Sequence, residues 1–384
     1  MRILIAFDKF KDSLTALQAC DVAARILHAG HRDWQLDLCP LSDGGDGFVE
    51  ILTRAAGGRQ STFQATGPRG GLADASVGFV PFSKIPPAAR ALLGLEKAAA
   101  GEGTVAVVEM AGASGLALLA PELRDPWQAT SYGTGQLIRV AAELRSALVL
   151  LGVGGSATHD LGLGALAALG LEFRAADGQR LRLPVPACWP QLASIEGSVF
   201  PSIPPIRIAC DVANPLLGQN GAAAVFGRQK GLKPEDADRL EAASARVAAR
   251  LCEHCGQPAA LTATPGAGAA GGIAFGLMAA AHAQLLPGFA FVAAWLDIDA
   301  RIAAADVVIT GEGRFDESSL GGKGPGAIAA RARAVGKPVH VFAGQVQGNV
   351  EGAFLHAITP EGTPLAQALR EAPTNLASAV GHAF

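Results

Sequence analysis

The stretch MRILIAFDKFKDSLTALQACDVAARIL, residues 1–27, predicts a buried strand followed directly by a helix. Residues 2–7 (RILIAF) are almost wholly apolar, which is typical of a short strand covered on both faces. Ser13 precedes an amphipathic run from Leu17 to Leu27, which predicts a capped helix ending near Gly30. A strand followed at once by a helix indicates the first half of a βαβ unit.

The same alternation recurs along both ends of the chain and predicts a parallel sheet. The strand candidates are 35–41, 306–310, 338–343 and 353–359, and the helix candidates are 46–56, 325–336 and 364–371. We therefore expect an α/β fold in which residues 1–62 and 296–384 form one discontinuous domain. Residues 63–295 are expected to form a second α/β domain inserted into the first.

The inserted region has its own strand and helix candidates. They are strands at 75–80, 104–110, 147–151 and 206–210, and helices at 134–145, 161–169, 234–253 and 269–286. Residues 83–101 are rich in alanine and are predicted to be a peripheral excursion.

Composition excludes several classes of protein. Glycine accounts for 48 of 384 residues, against a usual content of about 7%, and charged residues make up only 17%. Half of the residues are hydrophobic, which excludes a disordered chain, and the formal net charge of −3 gives no electrostatic reason to expect nucleic-acid binding. Six cysteines are too few for a disulfide scaffold. The uncharged stretch 256–296 is split by Pro287-Gly288, so no membrane span and a cytoplasmic location are expected.

A glycine-rich stretch after the strand candidate 147–151 predicts a phosphate-binding loop. The small residues from Gly154 to Thr158 would let backbone N–H groups approach phosphate oxygens at a helix N-terminus. Ser156 and Thr158 add hydroxyl donors, and Asp160 is a candidate base or Mg²⁺ ligand. The alternative is a simple strand-to-helix turn that needs only glycine, with Thr158 or Asp160 as helix cap.

Two other functions remain open for this stretch. Residues 152–157 also match the GxGxxG/A dinucleotide fingerprint, with Glu172 twenty residues after the first glycine, which allows an NAD-dependent dehydrogenase of a small hydroxy acid. A non-catalytic protein that binds a hydroxy acid is the other interpretation. His159 is a candidate general base, although a structural loop histidine is the favoured interpretation.

Acid-bearing turns follow three other strand candidates. Asp43 and Asp46 lie in a DGGDG turn, Asp211 begins DVANP, and residues 311–316 read GEGRFD. Ligands of open α/β sheets bind beyond the carboxyl ends of the strands. Carboxylates gathered there are suited to Mg²⁺-bound phosphates. Lys9, just after the first strand candidate, is placed to meet an anion.

Nine segments in order along the chain resemble the type I glycerate kinase family over nearly the whole length. They are DKFKDSL at 8–14, DGGDG at 43–47, EMA with SGL at 109–116, TSYGTG at 130–135, GGSAT with Asp160 at 154–160, CDV with NP at 210–215, FG with QKG at 226–231, GAGAAGG at 266–272, and GEGR with Asp316 at 311–316. His159 stands where the family usually has Asn, Leu161 where it has Gly, and 83–101 is an extra insertion.

The resemblance implies two α/β domains, one of them flavodoxin-like, with the active site in the cleft between them. It implies ATP-dependent phosphorylation of D-glycerate with Mg²⁺, and 2-phosphoglycerate is favoured over 3-phosphoglycerate. No nucleic acid or membrane partner is expected, and a homodimer is left open.

Site residues are assigned on this basis as hypotheses. The catalytic candidates are Asp211, Asp160, Lys9 and Arg314, and the substrate-binding candidates are Asp8, Lys11, Ser13, Asp43 and Asn214. The nucleotide-binding candidates are Gly154, Gly155, Ser156, Ala157, Thr158 and Gly268, and the metal candidates are Asp316 and Glu312.

Overall fold

The computed structural model describes residues 1–95, 103–316, 319, 324–347 and 350–384, and it confirms the predicted α/β class. The strands of this part of the chain are β1 (Arg2–Phe7), β2 (Gln35–Leu38), β3 (Arg59–Thr66), β4 (Leu72–Pro81), β5 (Thr104–Glu109), β6 (Leu148–Gly152), β7 (Glu172–Ala175), β8 (Leu192–Glu196), β9 (Ile206–Cys210), β10 (Gln284–Pro287), β11 (Val307–Phe315), β12 (Val339–Val346) and β13 (Phe354–Ala357).

The α-helices in the described part of the chain lie between and around these strands. They are α1 (Ala16–Gly30), α2 (Phe48–Ala55), α3 (Pro87–Leu93), α4 (Ala111–Ser114), α5 (Tyr132–Glu143), α6 (Leu163–Ala168), α7 (Ala222–Phe226), α8 (Ala237–His254), α9 (Ala269–Ala281), α10 (Gly288–Trp295), α11 (Ile298–Ala304), α12 (Gly324–Ala334) and α13 (Leu365–Ala383). None of the described helices is both long and apolar enough to cross a membrane.

The chain divides into two units of dense internal contact. The end unit comprises Met1–Asp43 and Phe289–Phe384, and the inserted unit comprises Gly44–Gly288. The predicted boundary at 62/63 falls inside β3, and the one at 295/296 falls at the last residue of α10. The first boundary lies at 43/44, nearer the N-terminus than predicted, because α2 packs against β3, β4 and β5 of the inserted unit.

The end unit is built on a five-stranded parallel sheet in the order β13–β12–β11–β1–β2. Counted along this unit alone, the order is 2-1-3-4-5, which is the flavodoxin-like arrangement. Its core contains Ile5, Phe7 and Phe342, all fully buried. A capping box at Thr15 and Gln18 begins α1, which packs on the sheet and on α13.

The inserted unit is built on a six-stranded sheet in the order β10–β9–β6–β5–β4–β3. The four strands from β10 to β5 are parallel, and β4 and β3 are antiparallel additions. The carboxyl ends of β5, β6, β9 and β10 therefore lie along one edge of the sheet, where loops follow β6 and β9 and helix α10 follows β10 directly.

One predicted helix is partly wrong. The helix expected over 269–286 ends at Ala281, His282 adopts a left-handed conformation, and Gln284–Pro287 form β10 beside β9. A short apolar run does not distinguish a buried strand from a buried helix by its pattern alone. Of the expected excursion at 83–101, the structure describes residues 83–95, which include α3, and 96–101 lie outside the described residues.

Left-handed residues at the start of α9 bring two backbone segments together. Ala270, Gly271 and Gly272 all have positive φ angles, and the carbonyl of Gly271 accepts a hydrogen bond from Leu161 N at 3.1 Å. A Cβ on Gly271 would lie 2.0 Å from the carbonyl oxygen of Thr158. Glycine is thus required at 271 both by its backbone dihedral and by the loop that follows β6.

We expect Gly271→Ala to lower the free energy of unfolding by more than Gly178→Ala does. Both glycines have positive φ, +72° and +83°, but nothing lies within 4 Å of a Cβ on Gly178. The control therefore carries the left-handed cost of about 1–2 kcal/mol, and Gly271→Ala adds overpacking of about 1–3 kcal/mol. Denaturant unfolding of the two variants measures the difference. Equal losses would mean that the contact with Thr158 is of no consequence.

Candidate active site

The loop after β6 lies at the carboxyl edge of the inserted sheet, as predicted, but its geometry differs from the expected strand-to-helix turn. Gly155 is exposed, has φ +70°, and donates its backbone N–H to no described residue. The next helix, α6, begins only at Leu163 and has six residues. The loop is therefore not at the N-terminus of the helix that follows it, and the dinucleotide fingerprint, which requires that helix to begin within the motif, is not formed.

Asp160 is a fully buried carboxylate that accepts four hydrogen bonds. Its Oδ2 accepts from Ser131 N at 2.7 Å, Ser131 Oγ at 2.8 Å and Gly164 N at 3.2 Å, and its Oδ1 accepts from Gly162 N at 3.2 Å. Burial raises the pKa of Asp160, and these donors oppose the rise. Because every partner is a donor, the group is held as a carboxylate whose lone pairs are already occupied. This geometry opposes the predicted role of Asp160 as base or metal ligand.

His159 and Thr158 are turned into the protein beside Asp160. Ser244 Oγ donates to the carbonyl of Leu240 at 2.8 Å, so it accepts from His159 Nε2 at 3.1 Å, which assigns the proton to Nε2. Burial lowers the pKa of His159 to about 3, and the charge of Lys230 adds to this. His159 is therefore neutral and inaccessible, which supports the interpretation as a structural residue.

Lys230 is buried next to the loop, with 1% of its surface exposed, and ends a short 3₁₀ helix formed by residues 228–230. Its Nζ donates to Ser156 Oγ at 2.9 Å and to the carbonyl of Thr158 at 2.7 Å. Burial lowers the pKa of Lys230 to about 7, and the negative charge of Asp160 opposes that shift. Lys230 Nζ, positively charged when it is protonated, thus lies at the loop in which anion binding was predicted.

Asp211 follows the last residue of β9 on the same edge of the inserted sheet. It is half-buried, and its carboxylate lies against Gly288, where a Cβ would be 2.9 Å from Oδ2. The glycine at the start of α10 therefore leaves room for the acid. Unlike Asp160, Asp211 retains exposed surface, which a base needs in order to reach a substrate.

Asn214 and Gly268 hold one turn of the inserted unit together. The side-chain amide of Asn214 donates to the carbonyl of Asn220 at 2.8 Å, and the backbone N–H of Gly268 donates to the carbonyl of Asn214 at 3.0 Å. A Cβ on Gly268 would lie 2.2 Å from the carbonyl oxygen of Pro215. Close backbone packing therefore explains why residue 268 is a glycine. The predicted ligand contacts of Asn214 and Gly268 remain predictions.

In the end unit, acids and a lysine gather at the carboxyl edge of the sheet. Asp8 follows β1, its Oδ1 accepts from Lys9 N at 2.6 Å, and Lys9 Nζ lies 3.5 Å from Asp43 Oδ1. Burial and the charge of Asp43 raise the pKa of Asp8 to about 7, although Lys9 opposes the rise and Glu312 adds to it. The structure thus brings three predicted site residues together with one of the predicted metal ligands.

Glu312 and Asp316 lie at the carboxyl end of the neighbouring strand, β11. Burial raises the pKa of Glu312, and Oε1 of its carboxylate is buried without a hydrogen-bond partner among the described residues. Asp316 Oδ2 pairs with Arg314 Nε at 3.0 Å, and Arg314, largely exposed, also donates to Gln347 Oε1 at 2.6 Å. The predicted anion-binding Arg314 and the predicted metal ligand Asp316 therefore form an ion pair with each other.

The other two candidates of the first loop differ in exposure. Lys11 is exposed, whereas the hydroxyl of Ser13 donates to the carbonyl of Leu369 at 2.6 Å. This bond ties the loop to α13, and the predicted substrate contact of Ser13 stays a prediction.

Sequence reasoning did not place two residues at this loop. An exposed carboxylate, Asp46, has its Oδ2 3.3 Å from the position of a Cβ on Gly155. Lys230 is the second residue. The sequence offered one indication of it, the QKG segment at 229–231, which is among the segments that resemble the family but was given no role. Neither contact is visible in the sequence, because Lys230 is 74 residues from Ser156.

Comparison with known proteins agrees with these observations. The model of the glycerate kinase family matches residues 3–384. The glycerate kinase of Haemophilus influenzae is 38% identical over 364 residues, which cover 93% of this chain and 89% of that protein. The glycerate 2-kinase of Escherichia coli K12 is 35% identical, with coverages of 93% and 89%. The crystal structure of a candidate glycerate kinase 2 from Salmonella typhimurium LT2 has a TM-score of 0.75 at 35% identity, covering 100% of this chain and 96% of that one.

The fold, its strand-end loops and these relatives define an enzyme of the α/β class that transfers phosphoryl groups. Within that class, the chain belongs to the glycerate kinase family.

We expect Asp8→Asn to reduce the pH dependence of stability between about pH 4 and pH 7 when divalent cations are absent. In this window the folded protein keeps a proton on Asp8 that the unfolded chain has released, so the free energy of unfolding falls as the pH rises. Asparagine has no proton to keep, and the fall becomes shallower. Denaturant unfolding at a series of pH values measures the slope.

The matched control is Asp21→Asn, which changes an exposed aspartate on α1 and should keep the slope of the unmodified protein. If Asp8→Asn and Asp21→Asn give the same slope, the raised pKa of Asp8 is wrong.

Proposed function

We propose that the protein transfers the γ-phosphoryl group of ATP to D-glycerate with Mg²⁺ and forms 2-phosphoglycerate. Membership of the glycerate kinase family supports the acceptor, and the name of the Escherichia coli relative, glycerate 2-kinase, supports the position of the phosphate. The observation that carries the proposal is the loop after β6, with an exposed glycine N–H in front and a buried ammonium behind. Such a loop suits an anionic phosphate.

The loop is proposed to hold the nucleotide phosphates. The backbone N–H of Gly155 donates to no described residue, and the hydroxyl hydrogen of Ser156 has no acceptor among the described residues either. Both groups donate, as an oxyanion requires. The dehydrogenase alternative is not supported, because helix α6 begins eight residues after Gly155.

Asp211 is proposed as the group that orients and deprotonates the substrate hydroxyl. It stands on the same sheet edge as the loop and keeps exposed surface, whereas the lone pairs of Asp160 are taken by four donors. Asp160 is accordingly proposed as a positioning residue that holds the residues after the loop. Phosphoryl transfer depends mainly on positioning and on charge neutralisation, so one acid acting as base and one acting as positioning residue are consistent with this reaction.

Lys9 and Arg314 are proposed to bind the carboxylate of glycerate or the transferred phosphoryl group. Arg314 is largely exposed and offers a planar pair of donors suited to a carboxylate. The backbone N–H of Lys9 donates to Asp8, and its ammonium lies 3.5 Å from Asp43 Oδ1 at the strand end. Asp8, Asp43, Lys11 and Asn214 remain proposed substrate contacts.

The donor set of the end unit fits Mg²⁺ carried by a nucleotide. Within the described ranges, no group of three or more His, Cys, Asp or Glu is arranged to hold a metal alone. Magnesium in kinases is usually held by one or two carboxylates together with phosphate oxygens. Glu312, whose buried Oε1 has no hydrogen-bond partner among the described residues, and Asp316 are the residues proposed to hold it. The ion, when bound, neutralises charge on the phosphate oxygens.

The reaction is tested by ADP release with D-glycerate, ATP and Mg²⁺, followed by ³¹P NMR of the product. We expect ADP formation that depends on all three components and a phosphomonoester at the 2-position. A 3-phosphoglycerate product would overturn the position of transfer alone. No ADP with glycerate, tartronate or hydroxypyruvate would overturn the proposed function.

Asp211→Asn is expected to lower turnover by about 10²- to 10⁴-fold, because it removes the proposed base. Its unfolding midpoint should stay close to that of the unmodified protein. Asp160→Asn is the comparison, since its amide would place an N–H₂ group against backbone donors in a buried site. We expect it to cost about 1–3 kcal/mol of stability. Near-normal turnover in Asp211→Asn would remove this residue from the role of base.

A further inference from the structure

Burying the ammonium of Lys230 costs free energy, and no anion among the described residues forms an ion pair with it. It is 1% exposed, and its two hydrogen-bond acceptors, Ser156 Oγ and the carbonyl of Thr158, are neutral. Among the described residues, it makes no ion pair. A buried lysine without a paired anion is destabilising compared with an apolar side chain of similar length. Packing alone therefore does not account for a lysine here.

Lys230 lies at a loop whose following helix begins too late to place its N-terminus there. Phosphate loops of α/β proteins commonly use the N-terminus of the following helix. Here ten residues, 153–162, separate β6 from α6, so the helix that follows the loop does not begin at Gly154 and Gly155. The carboxylate of Asp160, which attracts Lys230, has its own lone pairs taken by Ser131, Gly162 and Gly164.

The contact between Lys230 and Ser156 also decides the direction of one donor. An ammonium has only hydrogens to offer, so Ser156 Oγ accepts from Nζ and its own hydrogen must point elsewhere. A hydroxyl that accepts from a cation becomes a stronger donor, because successive hydrogen bonds polarise one another. Ser156 is thereby prepared to donate to an oxyanion at the loop.

We infer that Lys230 is a positioning residue for the nucleotide phosphates, which it serves by holding Ser156 as a donor and by supplying positive charge beneath the loop. This inference rests on the proposed function, in which the loop binds ATP. Because Lys230 is buried and contacts Ser156 and Thr158, we expect its effect to fall on nucleotide affinity and not on glycerate affinity.

The experiment is a double-mutant cycle of Lys230→Met and Ser156→Ala, read as the dissociation constant of Mg·ATP by calorimetry and as the KM values of ATP and glycerate. Hydrogen bonds to charged groups predict that Lys230→Met weakens Mg·ATP by about 10- to 100-fold. The KM of glycerate should change by less than about threefold. Ser156→Ala should also weaken Mg·ATP, and Lys230→Met should cost less in that background than in the unmodified protein.

The matched control is Lys84→Met, which removes an exposed lysine that donates to the carbonyl of Gly57 in the same unit and should leave all three constants unchanged. Mg·ATP affinity within about twofold of the unmodified protein in Lys230→Met, or fully additive effects, would overturn the inference. If Lys230→Met does not fold, Ser156→Ala decides alone, because unchanged Mg·ATP affinity in that variant overturns the route through Ser156. Failure of the unmodified protein to bind Mg·ATP would instead overturn the proposed function.

Discussion

A buried carboxylate with four donors is the interaction on which the candidate site of the inserted unit depends. Asp160 joins the residue before α5, Ser131, to the backbone of Gly162 and Gly164 around the start of α6. A charge removed from water is tolerated only when its lone pairs are satisfied, so these segments must all lie within hydrogen-bonding distance. The loop from Gly154 to Thr158 precedes this junction directly and takes its position from it.

Both units place charged side chains at the ends of their strands. In the inserted unit a buried ammonium lies behind a glycine-rich loop, where its positive charge suits a phosphate. In the end unit Asp8, Asp43 and Glu312 crowd together, and the raised pKa values of Asp8 and Glu312 record the cost of burying like charges. That cost is reduced when a cation binds. Both arrangements are therefore strained electrostatically without ligand and relieved by ligands of the expected charge.

Strands buried on both faces were the most predictable elements. The candidates 2–7, 147–151 and 206–210 correspond to β1, β6 and β9, because a run of apolar residues bounded by turn formers has few other uses. The run 269–286 was harder, since its small apolar residues suit either a helix or a strand, and only pairing with β9 made its last part β10. The late start of α6 was also missed, because Leu161 takes a left-handed conformation that its residue type does not favour.

The sequence by itself determined the α/β class, the family, and the list of acids and glycines that follow the strands, because these depend on local pattern and on the order of motifs. The tertiary structure decided which of those residues are available for chemistry. Asp160 and Asp211 are the same residue type after two parallel strands, yet one is enclosed by four donors and the other keeps exposed surface. Lys230 comes to Ser156 from 74 positions away. Burial and partners of that kind set the charge and reach of a side chain, and they exist only once the chain has folded.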